Sequence, residues 1–159
     1  MTVQIRFAGR PDVPMIAALI RALARFEKLE HQVALTEPLL TEALFGPRPY
    51  AETLIAEDGG TAVGFALFFH TFSTFLALPG LYLEDLFVIP EQRGRGVGRR
   101  LLERLAEIAL ERGCGRLEWA VLNWNQDAIA FYERLGAKPN SEWTVYRLAG
   151  EPLRSLARQ

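Results

Sequence analysis

At 159 residues the chain has the length of one ordinary domain, long enough to bury a core without disulfides. Half of it is apolar and 23% is charged, the mix of a soluble globular protein, and no apolar run reaches membrane-spanning length. A formal net charge of −1 argues against a general nucleic-acid binder, and a single cysteine, Cys114, excludes an internal disulfide.

The chain opens on VQIRFA (3–8), which alternates as a short strand. MTVQIRFAGR holds no apolar core of signal-peptide length, which with the lone cysteine predicts a cytoplasmic protein. Asp12 is placed to cap a helix in which Ile16, Leu19, Ile20, Leu23 and Phe26 recur at helical spacing, with Pro14 in its first turn. Thr36 is placed to cap a second helix, EPLLTEALF. Residues 52–57 and 61–70 read as strands joined by Asp58-Gly59-Gly60, a hairpin signal. TFSTFLALPG reads as an irregular connection, and LYLEDLFVI (81–89) as a strand stopped by Pro90.

A long amphipathic helix is predicted from about Gly96 to Arg112, with Leu101, Leu102, Leu105, Ile108 and Ala109 on one face. RLEWAVL (116–122) returns as a strand, Asn125 caps a helix over 127–135, and EWTVYRL (142–148) alternates as a last strand. This order predicts an α/β (α+β) fold: a central mixed, mostly antiparallel sheet flanked by about four helices. The strand–helix–strand unit across 81–122 needs a crossover, so its two strands should be parallel. Residues 1–150 are expected to form a single domain and 151–159 a polar tail.

The costly stretch is Arg93-Gly94-Arg95-Gly96-Val97-Gly98. Glycine contributes nothing to a core, but it lets backbone approach a ligand, and the helix N-terminus that follows attracts anions. A phosphate or pyrophosphate is the expected ligand. The loop has neither the register of a dinucleotide fingerprint nor the Gly-Lys-Ser/Thr of a Walker A loop.

R-x-x-G-x-G after a strand, opening a long amphipathic helix, resembles the acetyl-CoA signature of the GNAT acetyltransferases. YLEDLFV, RGRGVG, WNQDAIAFYERLGA and an early FEKLE, in that order, resemble the spermidine/spermine and thialysine branch of that family. The resemblance implies that the amides of Arg93, Gly94, Arg95, Gly96, Val97, Gly98 and Arg99 hold the CoA pyrophosphate. It implies that the pantetheine arm lies along Leu86, Phe87 and Val88 as an added strand, with the parallel strand pair at the acetyl-CoA site. Asn125 would contact the CoA arm, and Gln126, Asp127 and Ala128 would line the same groove.

A free alkylamine has a pKa of about 10, so it arrives protonated and needs a base. By the resemblance that base is Glu84, acting directly or through water, and Tyr132 stands near the sulfur as proton donor. In a regular strand Asp85 would face away from Glu84; a bulge would bring the two together. Phe26 and Glu27 correspond to an aromatic–acidic pair that contacts the distal amine in the polyamine branch, although Phe26 stands where that branch more often has Tyr. Glu27, Glu84 and Glu142 together would favour a cation, and Asp85 is expected among the substrate-binding residues.

His31, His70 and Cys114 lack the spacing of a metal or thiol site, and no metal is expected. The reading is an acetyl-CoA-dependent N-acetyltransferase acting on a small diamine, polyamine or lysine-like amine by direct attack in a ternary complex. A homodimer is expected, with no nucleic-acid or membrane partner. The alternatives are a protein-lysine or aminoglycoside acetyltransferase on the same scaffold, or a CoA-binding sensor without turnover.

Overall fold

The computed structural model describes residues 2–158. The chain divides into two compact units, with the boundary between Ala120 and Val121.

The first unit is built on a sheet of five strands in sequential order: β1 (Val3–Phe7), β2 (Glu52–Asp58), β3 (Thr61–Ser73), β4 (Leu78–Val88) and β5 (Leu117–Trp119). The first three pairings are antiparallel and β4–β5 is parallel, as the crossover rule requires. Asp58 and Thr61 pair across a two-residue loop in which Gly59 and Gly60 have φ of 58° and 83°. Only a residue without Cβ takes both values readily, which is why Asp-Gly-Gly makes this turn. The β3–β4 hairpin runs well beyond expectation: residues 71–73 and 78–80 are ladder, not irregular connection, so only 74–77 form the turn. Apolar side chains at that end, including Phe72 and Phe75, are exposed, so the pattern that usually marks a strand was weak there.

Both faces of the sheet are covered, since Leu54, Ile55 and Ala56 are consecutive and all fully buried. On one face α1 (Val13–Phe26) and α2 (Glu37–Phe45) pack Val13, Ile16, Leu23, Leu40 and Leu44 with Ile55, Phe65 and Phe87. On the other, α3 (Val97–Glu111) buries Leu101, Leu105 and Ile108 completely or nearly so. Each such side chain contributes about 1.5–3 kcal/mol by leaving water. Arg112, at the C-terminal cap of α3, closes this layer with two bonds to the Glu52 carboxylate, at 2.6 and 3.0 Å.

Thr36 caps α2 as expected, accepting from Leu39 N–H. Asp12 does not cap α1 through its side chain; it accepts from Gly9 N–H and from both terminal nitrogens of Arg6 at 2.8 Å. The strong bidentate partner on β1 outcompetes the helix amides, and the pair holds Asp12 below the usual carboxylate range.

The second unit contains α4 (Gln126–Arg134) and α5 (Gly150–Ala157), neither with a buried residue. One expectation is corrected here. Residues 142–148 alternate but form no ladder among the described residues, while residues 150–157, which include most of the polar tail, are helix. Alternation marks where a strand is able to form; without a partner its backbone bonds have nowhere to go. Val145 and Tyr146 are accordingly 90% and 93% exposed.

Candidate active site

The sheet opens beside β4. β5 pairs only with Leu81, Tyr82 and Leu83, so among the described residues no strand lies along the outer edge of β4 from 84 to 88. The same point carries a bulge. Leu83 pairs with Phe68 and Asp85 with Leu67, which leaves Glu84 as an extra residue without a partner on β3. Side chains alternate along a strand, so the extra residue reverses the faces after it. Asp85 therefore shares the face of Leu67 and Phe87, both packed with the α1–α2 layer, and Glu84 is exposed on the same side. The bulge places the two carboxylates together, as the second of the two expected arrangements had it.

A third carboxylate joins them. Glu27 caps the C-terminus of α1, followed by Lys28 at φ 61°, and its field reaches Asp85. Asp85 is pushed up to about 6, chiefly by burial and further by the charges of Glu84 and Glu27. Glu27 is itself raised by burial. Among the described residues, none of the salt bridges involves Glu27, Glu84 or Asp85. The nearby cation Arg93 is held elsewhere. Its guanidinium lies 4.6 Å from the centre of the Phe26 ring and 5.3 Å from that of Phe87, and its Nε donates to the Val88 carbonyl at 2.9 Å.

Past Val88 the chain enters the arginine–glycine loop. Gly94 and Gly96 have φ of 76° and 80°, and Gly96 is the N-cap of α3. A Cβ at either would meet no heavy atom within 4 Å, and one at Gly98 only Val88 Cγ2 at 3.8 Å. The glycines thus leave an open cradle over the helix start. The first helical bond runs from Arg100 N–H to the Gly96 carbonyl, so the amides of Val97, Gly98 and Arg99 have no acceptor within the helix. Arg95 pairs with Asp58 at 3.5 Å and with the Gln92 side chain, and Arg99 with Glu103 at 2.9 Å. A cradle of free amides at a helix N-terminus fits a pyrophosphate, and an edge without a strand fits an extended arm with amide groups.

These features carry the acetyl-CoA signature into three dimensions, and comparison with known proteins agrees. Residues 17–137 match the family described as "Acetyltransferase (GNAT) family". The chain belongs to the GNAT acetyltransferases. As a member it uses acetyl-CoA as co-substrate. It is 39% identical to the thialysine N-epsilon-acetyltransferase of Mus musculus, over 97% of this chain and 96% of that protein. It is 32% identical to an L-ornithine N5-acetyltransferase of Arabidopsis thaliana, over 96% of this chain and 87% of that one. A solved integron cassette protein from the mobile metagenome of V. cholerae superposes with a TM-score of 0.83 at 29% identity, covering 100% of this chain and 99% of that one.

Phe26, Glu27, Glu84, Asp85, Leu86, Phe87, Val88 and the loop 93–99 of this GNAT enzyme all lie in the first unit. Asn125, Gln126, Asp127, Ala128, Tyr132 and Glu142 lie in the second. There Asn125 caps α4 by accepting from Ala128 N–H, Gln126 donates to the Asn123 carbonyl, and the Tyr132 ring lies 5.5 Å from that of Phe131. Glu142 is exposed in the irregular segment. Sequence reasoning missed the burial of Asp85 and the position of Tyr82. Tyr82 packs on Phe69 at 5.2 Å and is raised by burial and by Glu84 and Glu118. It also missed a cavity of about 390 Å³ lined by residues including Phe7, Phe45, Tyr50, Thr53 and His70, which contains none of the predicted site residues. No His, Cys, Asp or Glu group among the described residues is arranged to hold a metal, and none of the helices is long and apolar enough to cross a membrane.

Proposed function

We propose that this GNAT enzyme acetylates a primary amine of a small diamine, polyamine or lysine-like (thialysine) substrate by direct attack in a ternary complex. The observation that carries the reading is the group of three carboxylates, Glu27, Glu84 and Asp85, in no salt bridge among the described residues and set beside the open edge of β4. Such a group destabilises itself unless a cation enters. The thialysine and L-ornithine acetyltransferases among its relatives act, by name, on amines that carry further charged groups.

Bound acetyl-CoA supplies the acetyl group as a thioester. The amides of residues 93–99 hold its pyrophosphate and residues 86–88 its arm, and Asn125, Gln126, Asp127 and Ala128 are further proposed cofactor contacts. Glu84, directly or through water, and Asp85 receive the reacting ammonium. Glu27, with Phe26 beside it and Glu142, selects a second, distal cation. Tyr132 holds the proton that the leaving sulfur takes up. The protein acts in the cytoplasm, without nucleic acid or membrane. It forms a homodimer, for which the exposed Trp143, Val145 and Tyr146 offer apolar surface. Residues 1–150 are proposed to act as one catalytic domain.

A panel of matched diamines and monoamines, assayed by release of CoA thiol, tests the substrate. The diamine should have a kcat/KM at least about tenfold higher than the monoamine, because a partly desolvated Glu27 contributes more than an exposed ion pair. Equal values for the two would overturn the diamine reading.

A further inference from the structure

The cavity of about 390 Å³ at the end of the first three strands has no part in the site described above. Its walls include Phe7 from β1, Phe45 from α2, Tyr50 from the loop before β2 and Phe69 from β3. That is the size and the aromatic character of a pocket for a small organic group. Among its described lining residues Glu52 is the one carboxylate and none is a lysine or arginine. Arg112 already binds that carboxylate twice, at 2.6 and 3.0 Å, so the cavity suits an uncharged group. Thr53 adds one polar feature. It is 4% exposed, and its hydroxyl has no hydrogen-bond partner among the described residues. A buried hydroxyl left so is costly, and a ligand with one donor or acceptor would relieve it. Rotation about the Cα–Cβ bond exchanges hydroxyl and methyl between staggered positions, which lets the hydroxyl turn to an occupant.

The sheet register connects this cavity to the acidic group. Thr53 pairs with Leu67 and Leu67 with Asp85, so the three share one face and one row. Neighbouring strands lie about 4.8 Å apart, which puts Thr53 about 10 Å from Asp85. In the next row on that face Phe69 pairs with Tyr82, the ring centres 5.2 Å apart. Leu67, Phe69 and Tyr82 are each only half-buried, so the strip between cavity and carboxylates is partly open. Phe69 belongs to both ends: it lines the cavity and packs on Tyr82, which lies in the field of Glu84.

We infer that the cavity is the far end of the amine groove and takes an uncharged aryl group carried on the remote end of the substrate. The inference rests on the amine N-acetyltransferase reading and narrows its substrate class. The primary amine meets Glu84 and Asp85, and a second nitrogen stays within reach of the same carboxylates. The tail then passes over Leu67 and Phe69 into the cavity, where a hydroxyl on its ring would bond Thr53. A bare diamine uses only the acidic end and leaves the apolar walls wet, so an aryl tail gains by burial what the short amine forgoes.

The probes are N-methylcadaverine, N-benzylcadaverine and N-(para-hydroxybenzyl)cadaverine, which share both nitrogens and differ in the tail. For the wild type kcat/KM on the benzyl amine should exceed that on the methyl amine at least about tenfold. The gain should lie in KM, because the tail does not touch the reacting atoms. The para-hydroxyl should add a further few-fold. Ala51→Trp, which fills the cavity beside Thr53, should bring the benzyl-to-methyl ratio close to one. Thr53→Val keeps the volume and should remove only the gain from the hydroxyl. In the wild-type protein the Thr53 methyl resonance should shift with N-benzylcadaverine, through the ring current, and not with N-methylcadaverine. That readout needs no variant to fold. Equal kcat/KM for the benzyl and methyl amines would overturn the inference, as would a preference that survives Ala51→Trp or a Thr53 methyl that does not move. In each case the preference for a diamine over a monoamine would stand, and the amine-acetyltransferase reading with it. Failure of the wild type to acetylate any of the amines would overturn that reading and the role of the cavity together.

Discussion

One strand and the turn after it carry two charged regions built on opposite principles. At Glu84 and Asp85 the chemistry lies in side chains, and the backbone matters because its bulge aims them. At residues 93–99 the backbone offers the donors, and the arginine side chains are largely occupied: Arg93 on two rings and a carbonyl, Arg95 on Asp58, Arg99 on Glu103. The first region suits a cation and the second an anion. The lesson is that the residues that look most charged in the loop should matter less than the glycines between them, while in the strand the charge itself should matter most.

The largest effect expected from this contrast is on stability. Above pH 6 the fold holds a charged Asp85 in a mostly buried place. Its folded-state value of about 6 lies above the ordinary 3.8, so the native state binds the proton more tightly and loses stability as pH rises from about 4 to 6. That difference is worth about 3 kcal/mol at pH 8. Asp85→Asn should therefore stabilise the protein by up to that amount in urea unfolding at pH 8, and by nothing at pH 3.5. An equal gain at both pH values would mean that charge is not the cause.

Gly96→Val comes next. A β-branched residue at φ 80° is strained by about 1–2 kcal/mol, and its side chain fills the open cradle. Calorimetry should show acetyl-CoA affinity reduced at least about tenfold in the folded variant. Unchanged affinity would remove the loop from the cofactor site.

The smallest effect sharpens the contrast from the other side. Arg99→Gln breaks an exposed pair one helical turn long, so unfolding should change by less than about 0.5 kcal/mol and acetyl-CoA affinity by only a few-fold. A loss as large as that of Gly96→Val would place the arginine, and not the amides, at the centre of phosphate binding.

Much of this architecture was legible in the residues because the signals were local. Thr36 and Asn125 cap the helices they precede, Asp58-Gly59-Gly60 turns where it should, and α3 begins one residue after Gly96. The features that escaped depend on distant partners. Asp12 reads as a cap until Arg6 takes it, and residues 142–148 read as a strand until no ladder forms. The loop that fits a phosphate was visible as a string of glycines, since positive φ leaves a compositional mark. The inequality of Glu84 and Asp85 left none, because it arises from the register of β4 against β3.

That register gives β4 something like a reading frame. Drawing residue 84 into the ladder instead of leaving it unpaired would restore strict alternation along the present chain, so that every position from 85 to 88 would trade the face it now holds for the other. Phe87 would leave the α1–α2 layer, where it is 5% exposed, and the carboxylate of residue 85 would turn toward the α3 layer. Position 84 can therefore change its side chain within limits, but it cannot join the ladder without exchanging core for surface beyond it, whereas its deletion would flatten the bulge and keep those faces.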